Sequence, residues 1–139
     1  MFAKSEQSSI TDSSFKGRII NTYETTATYN IGGLVGHLTG ENASIAKSKA
    51  TIAISSNANS SDQTVGGLVG LVDNDAHVRD SYAEGDINNV KQFGEVAGVA
   101  GYLWDRTSGK EQHAGSLTNV LSDVNVTNGN AITAYHYNN

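Results

Sequence analysis

The chain has 139 residues, 37% of them hydrophobic, and a formal net charge of −5, which suits one domain with a sizeable core. Its nine Lys and Arg are scattered without a cluster, so neither nucleic acid nor an anionic membrane surface is an expected partner. Cysteine and proline are absent, no apolar stretch is long enough for membrane insertion, and "FAKSEQ" after Met1 does not read as a signal peptide; the chain is either intracellular or a piece of a longer exported protein.

The first element is "SITDSSFKGRI" from Ser9. It begins with an aliphatic residue and polar ones, then alternates in the manner of a strand. Phe2-Ala3 stands ahead of it where an earlier, incomplete element belongs, so the chain starts inside a repeat. Next comes "IGGLVGHL" from Ile31. Its apolar residues fall at helical spacing, but three interior glycines would cost a helix roughly 3 kcal/mol.

"SIAKSKATIAI" from Ser44 repeats the opening element, with Lys47 and Lys49 set against Ser48, Ala50, Ile52 and Ile54. A polar loop, Ser55 to Thr64, leads to "VGGLVGLV" from Val65 and then "HVRDSYAEGDI" from His77. "VAGVAGYL" from Val96, a second loop from Trp104 to Gly115, and "SLTNVLSDVNV" from Ser116 complete a third copy. The glycine motifs recur after 34 and 31 residues. The second elements align on Ile10, Ile45, Val78 and Leu117. The tail "NAITAYHYNN" stands where a further glycine strand belongs and lacks its glycines.

A period near 33 indicates a repeat array. Helical repeats of that length need helix formers, whereas these elements are rich in Gly, Ser, Asn and β-branched residues. The expected fold is all-β: a short right-handed β-helix, or β-solenoid, of about four rungs with two or three strands per repeat, in one domain over residues 1–139. Gly32, Gly33, Gly36, Gly66, Gly67, Gly70, Gly98 and Gly101 are its structural glycines, needed for bends through positive φ or for close backbone approach. Ala97 and Ala100 replace Gly66 and Val69 in the third copy, and Tyr102 and Trp104 are expected to cover an end of the core.

Chemistry is sparse. The glycine runs lack the Gly-Lys-Ser/Thr of a P-loop and the GxGxxG of a dinucleotide fold. "GLVG" matches a KH-type GxxG without basic neighbours. His37, His77, His113 and His136 show no HExxH spacing. His37 aligns with Leu71 and Tyr102 and reads as a variable surface position; His136 reads as part of a packed terminus. Asp73, Asp75 and Asp80 in "DNDAHVRD" have oxygen ligands at a spacing calcium can use, but the EF-hand glycine and glutamate are missing, so a solvated turn is the simpler reading. There is no GxSxG elbow. The acidic residues Glu41, Asp62, Asp73, Asp75, Glu84, Asp86 and Glu95 read as turn residues rather than a catalytic pair. The sequons at Asn42, Asn59 and Asn125 carry no function.

"GGLVG" repeated at about this period resembles the GLUG motif of bacterial surface proteins. Together with "SSITDSSFKGRI", "VRDSYAEGDI" and "GNAITAYHYNN", the whole chain resembles the N-terminal, non-catalytic portion of the Gram-positive immunoglobulin A protease family. That resemblance implies a large, exported, cell-wall-attached zinc metalloendopeptidase that cuts immunoglobulin A. Its zinc ligands, HExxH and a distal glutamate, lie outside this chain. The expectation is therefore a fragment with no catalytic residue and no cofactor of its own, the zinc belonging to the parent's catalytic domain. Its role would be structural and substrate-positioning, at the bacterial cell surface. Its partners would be the rest of the protease and, through the loop holding Tyr102, Trp104, Arg106, Lys110 and His113, immunoglobulin A. The bland alternative for that loop is Trp104 packed on the flank. Two alternatives remain for the chain: an adhesin-like module for a host glycan or protein, and, last, a β-helix carbohydrate-active enzyme.

Overall fold

The computed structural model describes residues 1–22, 27–57, 60, 62–91, 94–104 and 113–133. All regular structure in them is β, and every ladder between strands is parallel. The strands are β1 (Phe2–Glu6), β2 (Ser9–Thr11), β3 (Ser14–Ile20), β4 (Asn30–Gly32), β5 (Val35–Thr39), β6 (Ser44–Ala46) and β7 (Lys49–Ser56). They continue with β8 (Thr64–Gly66), β9 (Val69–Asp73), β10 (His77–Asn89), β11 (Glu95–Ala97), β12 (Ala100–Trp104) and β13 (Ser116–Thr127).

Three sheets result. One runs β1-β5-β9-β12, one runs β4-β8-β11, and the third joins β2 and β3 through β6 and β7 to β10 and then β13. Each strand pairs with its counterpart one sequence repeat away. Ile10 sits beside Ile45, Ile45 beside Val78, and Val78 beside Leu117. Ile31, Val65 and Val96 form the equivalent row in the glycine motif. Phe2 of the incomplete opening element pairs with Val35. At the other end, Asn130 and Thr133 pair in parallel with Ala97 and Ala100.

The core fills from all three sheets. Val35, Leu38, Val69, Val72 and Leu103 meet Ile45, Ile52, Ile54, Val78 and Ile87, with Val65 and Val96 from the β4-β8-β11 sheet. Burying each such side chain is worth roughly 1.5–3 kcal/mol. Along β7 the period of two is clean: Ala50, Ile52, Ile54 and Ser56 are buried, and Lys49 and Ala53 are exposed.

The glycine motif bends without leaving the hydrogen-bonded ladder. Gly33 N donates to Gly67 O at 3.1 Å, Leu34 N to Leu68 O at 2.9 Å, and Leu68 N to Val99 O at 2.9 Å. None of its glycines has a positive φ; among the described glycines only Gly40, Gly85 and Gly94 do. The reason for glycine here is therefore crowding alone. A Cβ on Gly70 would fall 2.6 Å from Gly36 O and 2.7 Å from Ile31 N, and one on Gly101 2.7 Å from Gly70 O.

The second element departs from a single alternating strand. In two copies the strand is interrupted at this bend, between β2 and β3 and between β6 and β7, where Lys47 adopts φ 49°, whereas β10 and β13 run through it. Asp12, Asp80 and Asn119, the matching residues, adopt φ 49°, 50° and 50°. Ser48 follows the bend, 3% exposed. Its Oγ donates to Ala46 O (2.8 Å) and accepts from Ser13 N (3.2 Å), while Ser48 N donates to Ser81 Oγ (3.1 Å). A stacked serine column thus satisfies backbone groups that the bend removes from the sheet.

Candidate functional site

The glycine bend sets two kinds of side chain beside each other. Ahead of it, Asn30, Thr64 and Glu95 open β4, β8 and β11 in one register row. Behind it, His37, Leu71 and Tyr102 form a row across β5, β9 and β12. Between them lies a cleft of about 550 Å³, lined on the first side by Asn30, Thr64 and Glu95 and on the second by Leu71, Tyr102 and Trp104; Thr28 and Asp62 complete it. Leu103, between the two aromatics, points into the core. Tyr102 and Trp104 therefore do not cap the core as expected. Their rings lie 6.4 Å apart at 53° on the cleft wall, with Trp104 37% exposed.

Thr64 Oγ1 donates to Asn30 Oδ1 at 2.7 Å, so that pair is internally satisfied. Glu95 is different. Half-buried, it forms no side-chain hydrogen bond or ion pair among the described residues, and burial raises its pKa above the ordinary carboxylate value. A carboxylate held this way favours a ligand that brings a donor or a positive charge.

The other residues of the expected contact loop separate. His113 is tied to the turn after β9: its Nδ1 pairs with Asp75 Oδ2, and its carbonyl accepts from Asp75 N at 3.0 Å. Arg106 and Lys110 lie outside the described residues, as do Asn59, Tyr135, His136 and Tyr137.

The turn "DNDAHVRD" is not a solvated loop. Asp73 is fully buried and holds His37 Nε2 at 3.0 Å, leaving the His37 side chain only 14% exposed. His37 is thus an anchor rather than a variable surface residue. Asp80 sits at the other bend, accepting from Asn119 Nδ2 at 2.7 Å. The three aspartates face different partners. Among the described residues no three His, Cys, Asp or Glu side chains converge as a metal site.

Glu84 and Asp86 lie within β10 and Glu95 opens β11, rather than in turns. On the outer face of β7 and β10, Lys49 Nζ meets Glu84 Oε1 at 2.8 Å and stands 5.2 Å from the Tyr82 ring centre. Thr51 Oγ1 and Tyr82 OH donate to the same carboxylate at 2.7 and 2.9 Å. The Lys49 contact, then those from Thr51 and Tyr82, lower its pKa to about 2. Sequence reasoning missed this cluster. Its available signal was the register that sets Tyr82 beside Lys49 and Glu84 beside Thr51.

The GLUG motif family matches residues 27–55 and 61–88, which hold the first two glycine motifs. An immunoglobulin A1 protease of Streptococcus pneumoniae is 82% identical over 137 residues, covering 99% of this chain. The chain carries two GLUG matches and is similar to a part of the immunoglobulin A1 proteases. It spans only 7% of that relative's length. A zinc metalloprotease, ZmpC, of the same species is 33% identical over 99% of the chain, again 7% of its own length. A solved IgA1 protease structure superposes with a TM-score of 0.92 at 82% identity, over 98% of this chain and 11% of that one. The comparisons give no support to an adhesin-like module.

Proposed function

We propose that the chain is a non-catalytic structural and substrate-positioning segment of a secreted, cell-wall-attached zinc metalloendopeptidase that cleaves immunoglobulin A. The observation that carries this reading is the 82% identity over nearly the whole chain to a small part of an immunoglobulin A1 protease. The parallel registers support a right-handed β-solenoid of about four rungs forming one domain. In such a stack the interior is occupied by neighbouring turns, so partners use the lateral surface. Zinc belongs to the parent's catalytic part. The contact surface is the cleft face with Tyr102 and Trp104, which meets either the antibody or another part of the protease; aromatic residues of this kind dominate interface energetics.

The test is steady-state cleavage of immunoglobulin A by the parent protease carrying Trp104→Ala. The expected result is a KM raised severalfold with kcat little changed, the pattern of lost binding away from the reacting bond. Wild-type kinetics would remove this face from the contact. Hinge cleavage by the purified 139-residue chain with zinc would overturn the non-catalytic role.

A further inference from the structure

The outer face of the largest sheet sorts its charges by strand. β3, β7, β10 and β13 lie side by side there, and alternate residues of each are turned outward. Lys16 and Arg18 stand on β3, Lys49 on β7, Glu84 and Asp86 on β10, and Asp123 on β13. One edge is thus basic and the other acidic. These six charges cancel, although the chain as a whole carries −5. Lys49 and Glu84, in the middle, pair with each other. Lys16, Arg18, Asp86 and Asp123 are exposed and enter no ion pair or hydrogen bond among the described residues.

The register gives the charges an order. Lys16, Thr51, Glu84 and Asp123 form one row across the four strands, and Arg18, Ala53, Asp86 and Asn125 form the next. A face that is neutral in sum but segregated by sign is complementary to the same face turned round. A two-fold axis parallel to the strands lays β3 of one copy over β13 of the other, row on row. Lys16 then stands opposite the partner's Asp123, twice per pair. An axis across the strands would lay β3 over β3 and oppose like charges. Leu121 and Ile20, 67% and 54% exposed, add apolar surface to the same face.

We propose that this face binds a second copy of the chain, sheet against sheet with the strand order reversed, as a weak two-fold dimer. Strand spacing and residue rise make the face about 15 by 20 Å between backbone positions. With its side chains it would bury roughly 1,000 Å² in total, the low end for a specific interface. The dimer uses a different surface from the cleft, so it goes beyond the antibody contact and stands or falls independently of it.

Sedimentation equilibrium of the chain from about 10 μM to about 1 mM reads the association. The mean mass should climb from 14.6 kDa toward twice that value. Two variants reverse one edge each: Lys16→Glu with Arg18→Glu, and Asp86→Lys with Asp123→Lys. Each should dimerise at least about tenfold more weakly than the wild type, and an equimolar mixture of the two should restore the dimer as a heterodimer. Net charge alone cannot produce that pattern. Each substitution shifts the charge by two, so from −5 the first variant carries −9 and the second −1. Repulsion between whole chains would make the second variant associate more than the wild type, and prefer itself to the heterodimer. Circular dichroism checks that the variants fold. If a reversed variant does not, Lys16→Gln with Arg18→Gln, or Asp86→Asn with Asp123→Asn, takes its place and should still weaken the dimer. A wild-type chain that stays monomeric across the range, a second variant that associates more tightly than the wild type, or a mixture without heterodimer would overturn the proposal. So would association that survives both reversals, which would place the contact on the outer edge of β3 or β13 instead.

Discussion

The chain turns corners in two physically different ways. At the glycine motif the backbone keeps ordinary negative φ, and the residues must be small because the next copy's backbone presses on them. At Asp12, Lys47, Asp80 and Asn119 the backbone goes left-handed, the residues are not glycine, and a serine behind three of these bends repairs the hydrogen bonding. Glycine in the motif is thus chosen for volume, whereas Gly40, Gly85 and Gly94 supply positive φ elsewhere. Left-handed conformation is carried by residues with room for a side chain in solvent, at a strain of about 1 kcal/mol each.

The largest effect should come from crowding. Gly70→Ala is expected to destabilise by about 3 kcal/mol, read as a shift in the denaturant midpoint, because backbone rather than side chain blocks the new methyl. Gly66→Ala should cost at least as much, since a Cβ there would press on the Val69 carbonyl oxygen. A Gly66→Ala protein markedly more stable than Gly70→Ala would break the idea that backbone crowding sets the cost.

Next is the serine column. Ser48→Ala should cost about 1–2 kcal/mol, because Ala46 O and Ser13 N both lose a partner at a buried site. A neutral result would show that the left-handed bend needs no repair.

A smaller change of opposite sign is expected at the bend itself. Lys47→Gly relieves a φ of 49° but frees the unfolded chain, for a net gain near 0.5 kcal/mol or none. A loss above about 1 kcal/mol would mean that the Lys47 side chain, not its backbone, holds the corner.

The smallest effect is electrostatic. The Asn119 hydrogen bond, aided by Arg79, lowers the Asp80 pKa below 3.8. Its contribution is therefore present above pH 3.8 and is lost as pH falls through the lowered value. Glu84 behaves alike, losing its contribution between pH 4.5 and about 2. Amide exchange during acid titration should loosen β10 and the Asp80 bend first and leave the glycine bends protected. Simultaneous loosening of both would contradict the distinction.

Much of the fold was legible because repetition writes itself into the sequence. Aligning Ile10, Ile45, Val78 and Leu117 gave the register that the sheets use, and the glycine motifs gave a second one. The left-handed bends were harder to read. Asp12, Asp80 and Asn119 are residue types enriched in that conformation, but Lys47 is not, and it sits within an otherwise strand-like alternation. The burial of Asp73 and the anchoring of His37 come from contacts 36 residues apart, which a spacing of charges cannot announce. Trp104 and Tyr102 stood out by residue type, whereas their assembly with Glu95 needed two strands of one repeat folded about the glycine bend.

The most direct test of the functional account is hydrogen–deuterium exchange on the parent protease, with and without immunoglobulin A. The account predicts slowed exchange in Glu95–Ala97 and Ala100–Trp104 when antibody is bound, with the Asp80 bend unchanged. Antibody that binds and is cleaved while those two strands exchange as in the free protease would contradict it.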